Sequence, residues 1–260
     1  MGLLDNVDSQ TESGKLAIDA DSIVFFSAWE FDDAELSYVN FIERINNIKN
    51  ACYSQTKELE DIKLCLTSKK HFRMDIYPEY KANRKTPTDE EKLLRAKVSA
   101  LKKIIVSRLP KMILANNVAE ADDTVVYLSR QGYIVSCIDG DVRSQSKTPV
   151  YDFKKCVWVH QGLPDDEIFM NTLIDSIAGK SKDNVKGVKG IGKVGAKKFV
   201  KSVEKGEKSF TDWVELYPTP DEALLNFRLC SCNQYDGKEI VLYEMKDVVD
   251  MFTEHTTPPF

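Results

Sequence analysis

The chain has 260 residues, of which 42% are hydrophobic, as expected for a globular protein with one α/β domain or one domain and a small appendage. It contains no apolar run of 18 residues, so we expect no membrane-spanning helix. It also contains no Cys-x-x-Cys pair, which argues against a structural zinc site and favours free thiols in a reducing cytoplasm.

Strand and helix patterns alternate along the chain after a polar segment at 1–14, which we interpret as a flexible lead-in to one domain at 15–260. In chain order, the predicted elements are a strand at 15–19, a helix at 32–49, a strand at 61–66 and a basic loop with short helical pieces at 71–85. A helix at 88–109 follows, opened by a capping box at Thr88-Asp-Glu-Glu91, and then a helix at 119–130, strands at 133–138 and 156–160, and helices at 165–178, 193–203 and 221–232. This alternation predicts a mostly parallel central sheet with helices on both faces.

Acidic residues recur where predicted strands end or helices begin. Asp19 ends the first strand, Asp139-Gly-Asp141 follows a later one, Glu120-Ala-Asp-Asp123 opens a helix, and Asp183 precedes a glycine-rich segment. Because the carboxyl ends of parallel strands meet at one edge of a sheet, these side chains should converge there. Such a cluster suits Mg²⁺, which prefers oxygen ligands. Taken singly, each motif also fits a helix N-terminus or a turn.

The charge is segregated along the chain. The net charge of −5 argues mildly against a nucleic-acid partner, but the segment 180–208 holds ten lysines against three acidic residues. A basic surface beside a carboxylate cluster is what a metal-dependent phosphodiesterase needs, because lysines bind phosphates and carboxylates bind cations. A solvated charged surface is the alternative interpretation of the lysine run alone.

The glycine-rich segment at 187–195 favours a helix–hairpin–helix. It matches G-x-G-x-x-G, but no strand precedes it, and Val194 stands where a P-loop needs Ser or Thr. Glycines let backbone N–H groups approach a phosphate, and the following helix adds its positive end. Apolar packing anchors are expected at Val188, Ile191, Val194 and Phe199.

Four motifs together resemble the 5′ nuclease superfamily, which includes flap endonucleases, the 5′ nuclease domain of bacterial DNA polymerase I and phage 5′–3′ exonucleases. They are Tyr77-Pro-Glu-Tyr-Lys-Ala-Asn-Arg84 preceded by His71-Phe-Arg73, Glu120-Ala-Asp-Asp123, Asp139-Gly-Asp141, and the segment 183–192. The resemblance covers about residues 15–205 and looks nearest to the phage branch. It implies a PIN-like 5′ nuclease fold with a helical arch and a helix–hairpin–helix.

The resemblance also implies roles for individual residues. The first metal ion would be held by Asp19, Glu120, Asp122 and Asp139, the second by Asp122, Asp141 and Asp183, with Asp123 in the same cluster. Mg²⁺ is the expected ion, and Mn²⁺ can substitute. Lys81 and Arg84 would contact the scissile phosphate, Tyr80 would stack on a terminal base, and Arg73 would hold a phosphate.

Further expectations concern the nucleic acid. By resemblance, an arch at about 69–109 admits a single-stranded 5′ end, and a helix–hairpin–helix at about 165–205 binds duplex DNA and a K⁺ ion. The hairpin residues concerned are Lys186, Gly187, Lys189, Gly190, Gly192, Lys193, Lys197 and Lys198. The substrates would be 5′ flaps, single-stranded 5′ ends and duplex DNA, with RNA–DNA hybrids also considered. We expect a monomer, in the host cytoplasm if the chain is phage-encoded. A helical region at 206–260 lies beyond the resemblance.

Two positions depart from the superfamily pattern. Thr67 or Ser68 stands where an Asp is usual, and Lys180 replaces an acid of the second metal site. We therefore predict a weakened second site and slow or altered cleavage. Two alternatives to an active 5′ nuclease follow. The first is a structure-specific DNA-binding protein of the same fold that has lost its nuclease activity, and the second is an RNase of the related PIN-like fold.

Overall fold

The computed structural model describes residues 14–53, 59–68 and 70–256, so nearly all of the predicted lead-in lies outside the described residues. A six-stranded sheet in the order β3-β2-β1-β4-β5-β6 forms the centre, parallel except for the antiparallel last strand. Its strands are β1 (Lys15–Asp19), β2 (Asp61–Cys65), β3 (Ile113–Leu114), β4 (Ile134–Ser136), β5 (Val150–Asp152) and β6 (Val157–His160). The predicted mostly parallel sheet is confirmed. A two-stranded ribbon, β7 (Gly179–Lys180) and β8 (Val185–Lys186), stands apart from it.

Eleven helices are found in the described residues. They are α1 (Ala20–Glu30), α2 (Ala34–Tyr53), α3 (Phe72–Ile76), α4 (Asp89–Arg108), α5 (Ala121–Arg130), α6 (Gly140–Arg143), α7 (Asp165–Ala178), α8 (Lys193–Glu204), α9 (Phe210–Val214), α10 (Pro220–Cys230) and α11 (Met245–Thr256). A single 3₁₀ turn spans Ser181–Asp183. In the described part of the chain, none of these helices is long and apolar enough to span a membrane.

The central strand β1 is buried on both faces, and alternate side chains enter different cores. Leu16 and Ile18 pack with α1, α2 and α4, whereas Ala17 packs with α5 and β4. This alternation follows from the two-residue period of a strand. Helices thus cover both faces of the sheet, and the edge at the end of β1 is left free for polar side chains.

A second core lies beside the sheet and is built from α7 to α11. Trp213 and Phe227 are its largest buried side chains, and helices α7 and α8 contribute Leu173 and Phe199. The predicted helices at 165–178, 193–203 and 221–232 are all present within a few residues. The region after residue 206, which the resemblance did not cover, is therefore a packed part of the fold.

Helix α4 corresponds to the segment expected to form the arch. Its predicted capping box is present, with Thr88 and Glu91 bonded reciprocally at the N-terminus. Leu101 and Ile105 are fully buried against α1 and α2, and Lys102 pairs with Asp21. The helix is thus attached to the core along its second half.

Candidate active site

Two neighbouring strands deliver carboxylates to the same sheet edge. Asp19 ends β1 and caps α1, its Oδ1 accepting from the backbone N–H of Asp21 at 3.2 Å. Asp139 follows β4 and caps α6 in the same way, at 2.7 Å from the N–H of Asp141. Because β1 and β4 pair in parallel, the two caps face the same edge.

Asp19, Asp122 and Asp139, which we call the first corner, form no ion pair with any described residue. Burial, together with the charges of Asp21 and Asp139, raises the pKa of Asp19 to about 7. Burial and the charges of Asp19 and Asp139 raise the pKa of Asp122 well above its ordinary value. Burial and the charge of Asp141 raise the pKa of Asp139. The first corner is thus a group of mutually repelling carboxylates that a cation would stabilise.

Glu120 lies next to the first corner but is surrounded by donors. Its Oε1 pairs with the Nζ of Lys81, and its Oε2 accepts from Arg73 at 3.2 Å and from the Tyr80 hydroxyl at 3.0 Å. Burial alone would raise the pKa of Glu120, but the charges of Arg73, Lys81 and His71 lower it to about 2. Glu120 therefore stays ionised, with its charge already compensated.

Arg73 and Asp123 form a buried bidentate pair, which corrects two expectations. Two guanidinium nitrogens each lie 2.7 Å from a carboxylate oxygen of Asp123, and the side chains are 3% and 0% exposed. Arg73 also donates to the carbonyls of Leu229 and Ser231. Both oxygens of Asp123 are consumed, so it is not placed to ligate a metal ion, and Arg73 is not placed to hold a phosphate. The pair instead joins α5 to the end of α10.

Tyr80 also does not have the stacking role that the resemblance implied. It is 8% exposed, packs edge-on against the ring of His71, and donates its hydroxyl to Glu120. A side chain so enclosed has no free face for a nucleobase, so the expected stacking role is corrected. Tyr80 instead fixes Glu120.

Asp141, Asp175 and Lys180, which we call the second corner, include a cation of the protein's own that compensates part of the carboxylate charge. The Lys180 Nζ lies 2.8 Å from Oδ2 of Asp141, 3.7 Å from Oδ2 of Asp175 and 3.4 Å from the carbonyl oxygen of Cys230. Burial disfavours the charged ammonium, but Cys230, Asp141 and the other acidic neighbours outweigh burial and raise the pKa of Lys180. A fixed ammonium thus occupies the region where the resemblance places the second metal ion.

Sequence reasoning missed two parts of this site. Asp175, a half-buried acid on α7 that lies five residues before Lys180, was not singled out. The C-terminal end of α10 was missed because no motif marks it. Its free carbonyls at Leu229, Cys230 and Ser231 accept hydrogen bonds from Arg73 and Lys180. Cations are stabilised at a helix C-terminus by the helix dipole.

Lys81 and Arg84 lie on a turn at 77–84 rather than on a helix. Both line a cavity of about 440 Å³, together with Asp122, Asp139 and Asp183. Arg84 is exposed and lies 3.5 Å from Oδ1 of Asp183, and the Lys81 Nζ lies 3.8 Å from the same atom. The structure thus brings the two predicted phosphate ligands and most of the predicted carboxylates to one cavity. Asp19 is buried behind them, at 4% exposure.

Thr67 and Ser68 occupy the position where the superfamily usually has an acid. The Thr67 hydroxyl accepts from the backbone N–H of Ala121 at 2.9 Å, and its own N–H donates to Asp21 at 3.0 Å. Thr67 therefore holds the start of α5 against β2. Ser68 is half-buried.

The predicted helix–hairpin–helix is formed by α7, the β7–β8 ribbon, a glycine turn and α8. Gly187 is required because a Cβ there would lie 2.3 Å from the carbonyl carbon of Ala178, and Gly190 has a left-handed φ of 82°. Val188, Ile191 and Phe199 join the second core, but Val194 is 72% exposed, so its predicted packing role is wrong. The predicted contact lysines are exposed: Lys186, Lys189, Lys193, Lys197 and Lys198.

Within the described residues, no three His, Cys, Asp or Glu side chains surround one point closely enough to hold a metal ion as they stand. Two of the neighbouring carboxylates are already engaged in ion pairs, Glu120 with Lys81 and Asp141 with Lys180. An ion at the first corner would have to compete with Lys81 for Glu120.

Comparison with known proteins identifies the fold. No protein-family profile and no curated protein sequence matches the chain. Among solved structures, the bacteriophage T5 D15 protein co-crystallised with metal ions has a TM-score of 0.68 at 20% identity, over 92% of this chain and 96% of that one. The T5 5′-exonuclease with bound zinc ions gives the same TM-score and identity, over 92% and 97% of the two chains. A variant of the bacteriophage T5 D15 flap endonuclease, in a pseudo-enzyme-product complex with DNA and metal ions, has a TM-score of 0.66 at 18% identity, over 92% and 98%. The chain thus has the 5′ nuclease fold.

Proposed function

We propose that the chain is a divalent-metal-dependent 5′ nuclease that hydrolyses the phosphodiester backbone of DNA. It would act as a 5′–3′ exonuclease and flap endonuclease in phage-type replication, recombination or repair. The observation that supports this most strongly is the first corner, where repelling carboxylates with no ion-pair partner in the described part of the chain lie beside a cavity lined by Lys81 and Arg84. The fold, shared with the T5 5′-exonuclease, agrees with this proposal.

The residues of the first corner fit a hard divalent cation. Asp19, Asp122 and Asp139 offer carboxylate oxygens. Burial and, second to it, the charges of neighbouring carboxylates raise their pKa values, and a Mg²⁺ or Mn²⁺ ion would relieve that repulsion. These three residues would hold the ion, with Glu120 as a further ligand. When bound, such an ion lowers the pKa of a water and neutralises charge on the phosphate.

The protein's own basic groups would position the DNA. Lys81 and Arg84 project into the cavity and would bind the scissile phosphate and stabilise its developing charge. Lys186, Lys189, Lys193, Lys197 and Lys198 would follow the duplex backbone without reading bases, since phosphate contacts carry no sequence information. The backbone N–H groups at Gly190 and Gly192 would approach a phosphate, and hairpin carbonyls would bind K⁺.

We further propose that the second corner binds a divalent ion weakly. The ammonium of Lys180 already lies 2.8 Å from Asp141, and a like charge disfavours a cation in the same place. Asp183, the other predicted second-site ligand, faces Lys81 and Arg84. Cleavage would therefore be slower than at two full metal sites, or altered in its product distribution.

The ammonium of Lys180 beside Asp141 also favours a second candidate function. If the fixed ammonium prevents the reaction entirely, the chain would be a structure-specific DNA-binding protein with the 5′ nuclease fold. DNA binding would then depend on the exposed hairpin lysines, and the first corner would serve no reaction. Binding of a 5′-flap substrate without cleavage, both with Mg²⁺ and with EDTA, would support this candidate.

The deciding experiment is cleavage of a labelled 5′-flap DNA with Mg²⁺, compared with the same reaction in EDTA. We expect cleavage only with the metal ion. Asp122→Asn should reduce the rate about a hundred-fold or more, because it removes a ligand charge from the first corner. The control Asp166→Asn changes an exposed acid on α7 and should leave the rate unchanged. Equal rates for the two variants would refute the first corner as the metal site.

Substrate class and setting complete the proposal. DNA flaps, single-stranded 5′ ends and duplex DNA are the preferred substrates, and an RNA–DNA hybrid and an RNA strand are the comparisons that exclude a PIN-type RNase. We propose a monomer acting in the cytoplasm, which is that of the host if the chain is phage-encoded. The six cysteines are free, five of them buried, which agrees with a reducing compartment.

A further inference from the structure

The turn that carries Lys81 is hydrogen-bonded to the loop between β7 and β8. The backbone N–H of Lys81 donates to the carbonyl of Asp183 at 2.9 Å. The side chain of Asn83 donates to the carbonyl of Ser181, and the Tyr77 hydroxyl donates to the carbonyl of Asn184 at 3.3 Å. Such backbone contacts fix the turn at 77–84 relative to the loop at 181–184, independently of any DNA.

The side chain of Asn184 reaches from the loop to the backbone of the turn, whereas that of Asp183 faces the turn's charged groups. The amide nitrogen of Asn184 donates to the carbonyl of Glu79 at 2.8 Å, and its backbone has a left-handed φ of 60°. Asparagine tolerates this conformation better than most residues with a side chain. The sequence therefore places at this position a residue that can both turn the backbone and donate to the opposite turn.

Lys81 itself has a left-handed φ of 59°. For a lysine this conformation is unfavourable and persists only where surrounding contacts impose it. Its own N–H donates to Asp183, the Asn184 amide donates to the carbonyl of Glu79 two residues before it, and Asn83 two residues after it donates to the carbonyl of Ser181. The loop thus supplies the contacts that keep Lys81 in the conformation from which its ammonium reaches Glu120 at the edge of the cavity.

The loop at 181–184 is continuous with the hairpin. It joins β7 to β8, and β8 leads directly into the glycine turn and α8. Lys186 on β8 lies 3.8 Å from Glu79 of the turn, which adds a second link between the two segments. The segment proposed to bind duplex DNA and the turn proposed to bind the scissile phosphate are therefore held in a fixed relation.

We propose that Asn184 is a positioning residue for Lys81: its amide holds the turn at 77–84 so that Lys81 faces the cavity before DNA arrives. The inference rests on the proposed nuclease function, since Lys81 is the phosphate ligand in that proposal. Asn184 touches no reacting atom and acts only through the turn. Its effect should therefore appear in the rate of the chemical step and not in the affinity for DNA.

The first test uses Asn184→Gly, which keeps the left-handed backbone and removes the amide. We expect kcat on a 5′-flap substrate to fall about ten-fold, the scale of one lost hydrogen bond, while KM and DNA affinity in EDTA stay unchanged. Asn184→Asp, which keeps the shape but cannot donate to Glu79, should give a similar loss. Asn226→Ala is the control, because it removes an amide that bonds Lys186 from the other side of the ribbon.

A double-mutant cycle decides whether Asn184 acts through Lys81. In a Lys81→Ala background, Asn184→Gly should have no further effect on kcat. An equal loss of rate in both backgrounds, or an unchanged kcat in the single variant, would overturn the inference. A loss confined to KM would overturn it as well, because it would assign Asn184 to DNA binding.

A second readout does not depend on nuclease activity. Trypsin cleavage after Lys81, Arg84 and Lys85, followed by mass spectrometry in EDTA, should be several-fold faster in Asn184→Gly than in the wild type or in Asn226→Ala. Equal cleavage rates would overturn the inference even if the protein is an active nuclease. Absence of DNA cleavage by the wild type would refute the proposed function, while the trypsin result would still show whether Asn184 holds the turn.

Discussion

The first corner and the second corner lie at the same end of the sheet but balance their charge in opposite ways. At the first, Asp19, Asp122 and Asp139 repel one another without an ion-pair partner in the described residues. At the second, the ammonium of Lys180 pairs with Asp141 at 2.8 Å and lies 3.7 Å from Asp175, so the protein itself compensates part of their charge. An acidic cluster is therefore not in itself a metal site: what matters is whether the protein has already compensated its charge.

The largest effect is expected at the pair of Arg73 and Asp123, where a carboxylate is compensated by the most deeply buried cation near the two corners. Asp123→Ala removes the bidentate partner of Arg73, which is 3% exposed, and leaves its guanidinium with Glu120 at 3.2 Å as its remaining carboxylate. Breaking such a buried pair costs about 3–5 kcal/mol in the free energy of unfolding. Chemical denaturation of the metal-free protein measures this loss. If Asp123 were instead a metal ligand, its replacement would cost little stability without metal and would mainly weaken metal binding.

The next test uses pH to change the ionisation of the first corner and, with it, the stability of the metal-free protein. Since the pKa of Asp19 rises from 3.8 to about 7 on folding, its contribution to stability is complete at low pH and is lost as pH rises through about 7. Glu120 has the opposite shift, to about 2, so its contribution is constant above pH 5. We expect the metal-free protein to lose on the order of 2 kcal/mol between pH 5 and pH 8.

Denaturation in EDTA at several pH values measures this slope. Asp19→Asn should flatten it, because the amide does not titrate, whereas Asp166→Asn on the surface of α7 should leave it unchanged. A slope of the opposite sign, with greater stability at pH 8, would contradict the uncompensated state of the first corner.

The third test removes the ammonium from the second corner, so that Asp141 loses its ion-pair partner and resembles the carboxylates of the first corner. Lys180→Gln removes the ammonium while keeping most of the side-chain volume, and affinity for a second Mn²⁺ should rise about ten-fold, equal to about 1.4 kcal/mol. Counting bound Mn²⁺ by electron paramagnetic resonance at fixed free metal measures this change. Lys182→Gln, an exposed neighbour, should bind as the wild type does. Two ions bound with similar affinity by the wild type would contradict the contrast between the corners.

Much of the fold could be predicted from the sequence, because its signals are local. The capping box at Thr88 and the apolar strand at 15–19 were recognised, and the glycine turn at 187–195 needs no tertiary information. Helix α1 was not predicted: it is apolar nearly all round, so it shows little of the periodicity that marks a surface helix. Strand β5 was also missed, since three residues give too short a pattern.

The candidate site was less predictable than the fold. Positions 122, 139 and 141 could be placed at the cavity because they follow strands or begin a helix. The contacts of Arg73, Tyr80 and Asp123 could not be predicted. They depend on packing against the end of α10, more than 100 residues further along the chain. A carboxylate beside an arginine is indistinguishable in sequence from one beside a metal ion, and only their packing separates the two.

The smallest effect is expected from Lys193, an exposed lysine whose Nζ lies 3.8 Å from Asp175 at the border of the second corner. Because so exposed a pair contributes little, Lys193→Gln should leave stability and metal binding almost unchanged. If Lys193 contacts a phosphate, the substitution should lower DNA affinity a few-fold and reduce the slope of log affinity against log salt by about 0.9. Fluorescence anisotropy with a duplex in EDTA, at several salt concentrations, measures that slope. A change in Mn²⁺ binding without a change in the salt slope would instead make Lys193 part of the charge balance of the second corner, which would then extend to the surface of α8.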